Sequence, residues 1–256
     1  MQVLLTGKSA VITGAGSGIG LATTRSFLQS DAAGVVAVDL APEPDEPLAR
    51  LIEANKGRLI YVNGDVREAR TAERFTAAAL SEFARIDVLV NNAGISVVKP
   101  IHEHTEAEWD AVMDTNVKAM FWAARHVVPV MIRQKSGVIL NTGSISGVAG
   151  MPMQGAYGPS KGAVHQLTRQ MAIEYAPHGI RVNAVCCGTV DTPIVHKSAA
   201  ASGNPDAFWK MLRDNHPIGR IASADEVAAF FTYMASDLAG FFTGSTIMMD
   251  GGYSAR

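Results

Sequence analysis

Short apolar runs recur along the chain with room for one helix between each pair. They fall at residues 9–13, 35–38, 59–62, 87–90, 138–141, 182–187 and 245–249. Near-continuous apolarity over so few residues suits a strand buried on both faces. The intervening stretches carry helical spacing. Leu21, Arg25 and Leu28 follow the first run, residues 72–83 the third, and Val164, Leu167, Met171 and Tyr175 the fifth. Residues 106–134 read as one long helix, with Pro129 the expected kink. Ser223-x-x-Glu226 is a capping box that should open a helix to about residue 236. Residues 41–47, with prolines and acids close together, read as a surface loop. Strands alternating with helices predict an α/β fold: a Rossmann-like doubly wound parallel sheet flanked by helices on both faces. No linker or repeat divides residues 1–256, so one domain is expected.

Composition narrows the classes of partner. The chain is 48% hydrophobic and 18% charged, with a formal net charge of −2, which argues against nucleic acid and anionic membranes. No run of 18 apolar residues suggests a membrane span, and the first residues lack the pattern of a secretory signal. A cytoplasmic location is the expectation. Cys186 and Cys187 are adjacent within an apolar run and read as buried strand residues rather than a disulfide framework. No metal site is expected: His102 and His104 are two apart, so they would not share a helix face, and no other ligand cluster joins them.

The candidate chemistry lies just past the strand ends, where such sheets bind ligands. After the first run come Gly14, Gly18 and Gly20, spaced G-x-x-x-G-x-G, then a helix. Strand, glycine turn and helix N-terminus together make a phosphate cradle, although glycines alone also fit a plain loop. Asp39 ends the second run, nineteen residues beyond Gly20. An acid there suits ribose hydroxyls and repels a 2′-phosphate, and neither Ser17 nor Leu40 is a cation; NAD is therefore expected over NADP. Tyr157 and Lys161, four residues apart, would stack on one helix face. An ammonium beside a phenol should draw the phenol's pKa down and make it a general acid or base.

These motifs resemble the short-chain dehydrogenase/reductase family, in its compact single-domain branch, along nearly the whole chain. Thr13-Gly14-x-x-x-Gly18-Ile19-Gly20 is similar to that family's cofactor turn, Asp65-Val66 to its adenine-contacting pair, and Asn91-Asn92-Ala93-Gly94 to its sheet-stabilising motif. Asn116, Ser144, Tyr157 and Lys161 fall in the order and spacing of its catalytic tetrad. The resemblance implies that Tyr157 exchanges a proton with the substrate oxygen, which Ser144 also binds. Lys161 would lower the tyrosine pKa and bind the nicotinamide ribose, and Asn116 would hold a water linking Lys161 to solvent. It implies NAD contacts from Gly14, Ser17, Gly18, Ile19, Asp39, Asp65, Val66, Asn92, Ala93, Gly94, Gly188, Val190 and Thr192, with Tyr157 and Lys161. Where the family usually has Pro-Gly, this chain has Cys187-Gly188, which leaves the stiffness of that turn unexplained. The resemblance also implies a homotetramer.

The implied activity is NAD-dependent interconversion of a secondary alcohol and a ketone on a small polar substrate: a hydroxy acid, sugar acid or polyol. Two alternatives stay open: a reductase of apolar cyclic or aromatic ketones or dihydrodiols, and a non-catalytic dinucleotide-sensing protein. An enoyl reductase would have a wider Tyr-to-Lys spacing. Substrate contacts are expected from Ser144, Gln154 and Tyr157 and from a lid at about 190–217. The loop between Ser144 and Tyr157 has no charged side chain, so a carboxylate would need a lid cation. The lid offers His196, Lys197, Lys210, Arg213 and His216, with His196 and Lys197 nearest the cofactor turn.

Overall fold

The computed structural model describes residues 3–255. Seven parallel strands form one sheet: β1 (Ser9–Thr13), β2 (Gly34–Asp39), β3 (Leu59–Asn63), β4 (Val88–Asn91), β5 (Gly137–Ser144), β6 (Ile180–Cys187) and β7 (Thr246–Met249). Their spatial order is β3-β2-β1-β4-β5-β6-β7. The order reverses between β1 and β4, which opens a crevice at the carboxyl ends of those strands.

The period of two in each strand divides its side chains between two cores. Ala10, Ile12, Val35, Ala37, Val88, Val90 and Leu140 face α1 (Gly18–Gln29) and α9 (Ala224–Ala235), where Phe27 and Phe231 are fully buried. Val11, Val36, Val38, Leu89 and Ile139 face the opposite layer of α3 (Ala69–Phe83), α5 (Ala119–Gln134) and α6 (Tyr157–Tyr175), packed on Phe75, Val127 and Met171. The continuous apolarity of the runs reflects this burial on both faces.

All seven predicted strands form, and Ser223 and Glu226 make the predicted capping box at the start of α9. Two helical readings need correction. The loop assigned to residues 41–47 gives way at its end to a helix, α2 (Glu46–Ala54), with Pro47 in its first turn, where a missing N–H costs nothing. The stretch 106–134 is helical throughout, as expected, but not α-helical throughout. It divides into α4 (Glu106–Met113) and α5 around a π-helical turn, Asp114–Lys118, while Pro129 sits inside α5 without ending it. Between β6 and α9, the expected lid region folds as α7 (Pro193–Ala201) and α8 (Pro205–Asp214). No helix among the described residues is long and apolar enough to cross a membrane.

Candidate active site

The first wall of the site is the turn between β1 and α1. Gly14 takes φ +65°, and a Cβ there would lie 2.8 Å from Ala93 Cα, so only glycine lets the two backbones meet. Ser17 precedes α1 but makes no side-chain cap bond. The first-turn N–H groups thus keep their donors and positive end for an anion. Glycine-thin backbone and an uncapped helix start fit a dinucleotide's diphosphate, with Gly14, Ser17, Gly18 and Ile19 as its cradle.

Asp39 stands beside this turn. Its Oδ2 accepts from Gly16 N at 2.7 Å and its Oδ1 from Leu40 N at 2.8 Å. Asp65 follows β3, and its carboxylate is forked by Arg67, whose hydrogen bonds hold its pKa below the usual range. Val66 packs against the Phe75 core.

The Asn91–Gly94 segment joins the glycine turn to α6. Asn92 Nδ2 donates to Thr13 O (3.0 Å) and Gly14 O (3.1 Å), while its Oδ1 accepts from Thr142 Oγ1 at 3.2 Å. Thr13 Oγ1 accepts from Asn92 N and Ala93 N. Below it, Asn91 donates to Asn141 and Asn141 to Thr168 on α6, a fully buried polar chain. Lys161 Nζ completes the link by donating to Thr142 O at 2.7 Å. Gly14, Asn92, Thr142 and Lys161 therefore belong to one network. Thr142 carries no sequence signal of its own; it becomes visible only when β5 and β4 pair.

At the centre, Tyr157 and Lys161 share a face of α6, with Lys161 Nζ 5.5 Å from the tyrosine ring centroid. The Ser144 side chain lies close enough to the Tyr157 phenol to draw its pKa down slightly. Ser144 Oγ also accepts from Ser146 N at 3.1 Å. The expected lowering of the tyrosine pKa is not found. Burial pushes the Tyr157 phenol up to about 12, against a smaller opposing pull from Ser144, and burial draws Lys161 down to about 8. Desolvation disfavours both charged forms, and here it outweighs their mutual attraction.

Asn116 lies on the π turn, fully buried, beside α6 rather than on Lys161. Its Oδ1 accepts from Ile95 N (2.8 Å), and its Nδ2 donates to Ile95 O and Ser160 Oγ (3.0 Å each). The side chain is thus engaged on the segment after β4 and on α6.

Of the predicted substrate residues, Ser144 and Tyr157 are neighbours at the site, while Gln154 lies in the loop before α6 and His196 and Lys197 lie on α7. Gln154, in the loop before α6, has a buried Oε1 with no hydrogen-bond partner. His196 Nε2 is bound to Asp191 Oδ1 at 2.6 Å, and its ring meets the edge of Trp209. Lys197 is exposed on α7, and Lys210 pairs with Asp214. Two histidines play larger roles than their positions suggested. His165, on α6, is 2% exposed behind Ser144, with Nε2 3.1 Å from Cys186 Sγ and 3.5 Å from Ser144 N. His216, read as a lid cation, is buried against Gly188 and Thr189, beside Val190 and Thr192. Cys186 and Cys187 are buried free thiols, pushed by burial up to about 11 and 12.

A fold of this topology with a glycine turn, Ser144, Tyr157 and Lys161 in one crevice defines a dinucleotide-dependent oxidoreductase class, and comparison with known proteins agrees. Residues 14–254 match the family model described as enoyl-(acyl carrier protein) reductase. A cis-4-hydroxycyclohexanecarboxylate dehydrogenase of Sinomonas cyclohexanicum is 38% identical over 249 residues, 97% of each chain. A 3-oxoacyl-[acyl-carrier-protein] reductase of Thermotoga maritima is 37% identical over 248 residues, 97% of this chain and 98% of the other. Among solved structures, levodione reductase superposes with a TM-score of 0.93 at 33% identity, covering 98% of this chain and 99% of that one. A short-chain type dehydrogenase/reductase from Mycobacterium marinum gives 0.92 at 31% identity, over 100% and 98%. The chain belongs to the short-chain dehydrogenase/reductase family.

Proposed function

We propose that the protein interconverts a secondary alcohol and a ketone with NAD as the hydride carrier. The observation that carries this reading is the trio of Ser144, at the carboxyl end of β5, with Tyr157 and Lys161 on one face of α6, Lys161 Nζ 5.5 Å from the Tyr157 ring centroid. Bound nicotinamide supplies the hydride chemistry; the protein supplies position and protons. Ser144 holds the substrate oxygen. Tyr157 donates a proton to a carbonyl oxygen in reduction and removes one from a hydroxyl in oxidation. Lys161, anchored on Thr142 O, keeps a cation beside the phenol. The four-residue Tyr157–Lys161 spacing favours carbonyl chemistry over enoyl reduction.

NAD is preferred in this reading because Asp39 sets a carboxylate beside Gly16, where a 2′-phosphate would meet like charge. For the substrate, two readings stood open, small polar compounds and apolar cyclic ketones or dihydrodiols. Exposed Ile95, Val148, Met153 and Ile194 lie on the segments that follow β4, β5 and β6, the strands that carry the site. Meanwhile His196 and Lys210 are bound to acids within the lid. These observations favour a cyclic, largely apolar substrate. The hydroxy-acid reading would rest on Lys197. Relatives named for 2,5-dichloro-2,5-cyclohexadiene-1,4-diol, in Sphingobium indicum, and for galactitol, in Cereibacter sphaeroides, span both classes, and one named for 4-hydroxycyclohexanecarboxylate joins a ring to a carboxylate.

The test is to titrate the purified protein with NADH and NADPH, then screen cyclic alcohols, hydroxy acids and polyols by absorbance of the reduced cofactor. Tighter NADH binding and turnover of a cyclic alcohol are expected. Equal or tighter NADPH binding would reject the assignment of Asp39. Turnover of hydroxy acids alone, lost on Lys197→Ala, would restore the polar reading.

A further inference from the structure

We propose that His216 is a positioning residue that fixes the Gly188–Thr192 turn and couples it to the lid. This inference rests on the reading of that turn as the nicotinamide side of a dinucleotide site. At Cys187 the chain lacks the proline that would lock φ at the start of the turn. Cys187 instead stays in the sheet, in register with Ser144 and Met249, and Gly188 N donates to Met249 O at 3.0 Å. The next peptide leaves the sheet, and there the imidazole takes over. Thr189 N donates to His216 Nε2 at 3.0 Å. With an N–H aimed at Nε2, the ring proton sits on Nδ1, which donates to Leu212 O in α8 at 2.7 Å.

The ring is held on its other sides as well. It is 3% exposed, and the Tyr253 ring centroid lies 5.6 Å away. A Cβ at Gly188 would come within 2.6 Å of His216 Nε2, so the glycine makes room for the imidazole. Downstream, Ala222 N donates to Thr189 O and Asp191 N to Ala222 O. Thr192 Cγ2 lies only 3.2 Å from where a Gly18 Cβ would stand, so this turn bears on the start of α1. A shift at Thr189 therefore moves Val190 and Thr192 relative to the glycine turn. His216 does outside the turn what proline would do within it, and it ties that rigidity to the last turn of α8.

The test compares binding of NADH with binding of ADP-ribose, which has the same diphosphate and adenosine but no nicotinamide. His216→Phe keeps a ring and loses both bonds. His216→Gln can place a carbonyl near Nε2 and restore the bond from Thr189, whereas His216→Asn can serve only the Leu212 side. Loss of one well-formed buried hydrogen bond corresponds to about a tenfold change in affinity. His216→Phe and His216→Asn should weaken NADH by at least about that factor while ADP-ribose stays within about twofold of wild type, and His216→Gln should recover most of the NADH affinity. If the phenylalanine variant fails to fold, the Asn–Gln pair decides, and equal NADH affinities would overturn the proposal. Parallel losses for both ligands would also overturn it, by reducing His216 to a general structural role. A wild-type protein that binds neither ligand would instead remove the cofactor reading on which the inference rests.

Discussion

Tyr157 and Lys161 are each disfavoured in their charged form by the same burial, and that makes both testable. Tyr157→Phe removes the proton donor and almost no volume, so turnover should fall by about 10²- to 10⁴-fold while NADH binding stays nearly unchanged. Steady-state rates beside a binding titration check this, and more than half of wild-type turnover would reject Tyr157. Lys161 gives a pH effect with a definite sign. Its folded pKa is drawn to about 8 from 10.5, so between those values the unfolded chain holds the extra proton and stability rises with pH. Below pH 8 the cost of burying the charge is present in full. Tyr157, raised to about 12 from 10.0, contributes stability that fades only above pH 10, so it does not act between pH 8 and pH 9. Cys186 and Cys187, raised from 9.0, lose stability from about pH 9 in either variant. Relative to Lys161→Met, the cofactor-free wild type should therefore gain about 1 kcal/mol between pH 8 and pH 9. Urea midpoints at both pH values measure it, and a flat difference would show that Lys161 is not desolvated. The identity of this pair was plain in the sequence, because i,i+4 spacing is local. Its pKa values were not, because burial depends on β5 and β6 packing around α6.

Among elements, the π turn Asp114–Lys118 shows where local reading stops. Nothing in residues 106–134 marks the break except a proline in the wrong place, since π turns lack a turn residue of their own. What explains the position is the work done by Asn116, which closes both backbone groups of Ile95 and reaches Ser160 from inside the helix. Ile95 belongs to the segment after β4, so the bulge clamps the Asn91–Gly94 motif to α6. Asn116→Ala would leave buried donors and acceptors unpaired, costing about 2–4 kcal/mol. Chemical denaturation should show that loss, with a further fall in turnover as the segment after β4 loosens; a change below about 0.5 kcal/mol would mean that water replaces the amide. The strands, the glycine turn and the α9 capping box were legible because each is written within a few consecutive residues. Thr142, His165 and His216 were not, because their roles arise from partners on other elements. His216 meets Thr189 from 27 residues away, and no periodicity points there.

For the whole molecule, the question is what covers its outer apolar side chains. Ile173 on α6 is 79% exposed and Phe121 on α5 is 49% exposed, on the helical layer behind Tyr157; Phe241, shortly before β7, is fully exposed. A large aromatic or branched side chain loses about 1.5–3 kcal/mol of burial when left in water, and several of them on two faces invite association. We propose that α5 and α6 form one interface and the Phe241 segment another. Two different two-fold interfaces on one chain generate a closed tetramer rather than a dimer. Light scattering at micromolar concentration should then return about 108 kDa, four times the chain mass of 27.1 kDa. Ile173→Glu places a charge in the first interface only, so it should yield dimers held by the second, and Phe241→Asp should yield dimers held by the first. Combining the two should give monomers. A wild-type mass near that of one chain would reject the assembly. Tetramers surviving both substitutions would place the interfaces elsewhere on the surface.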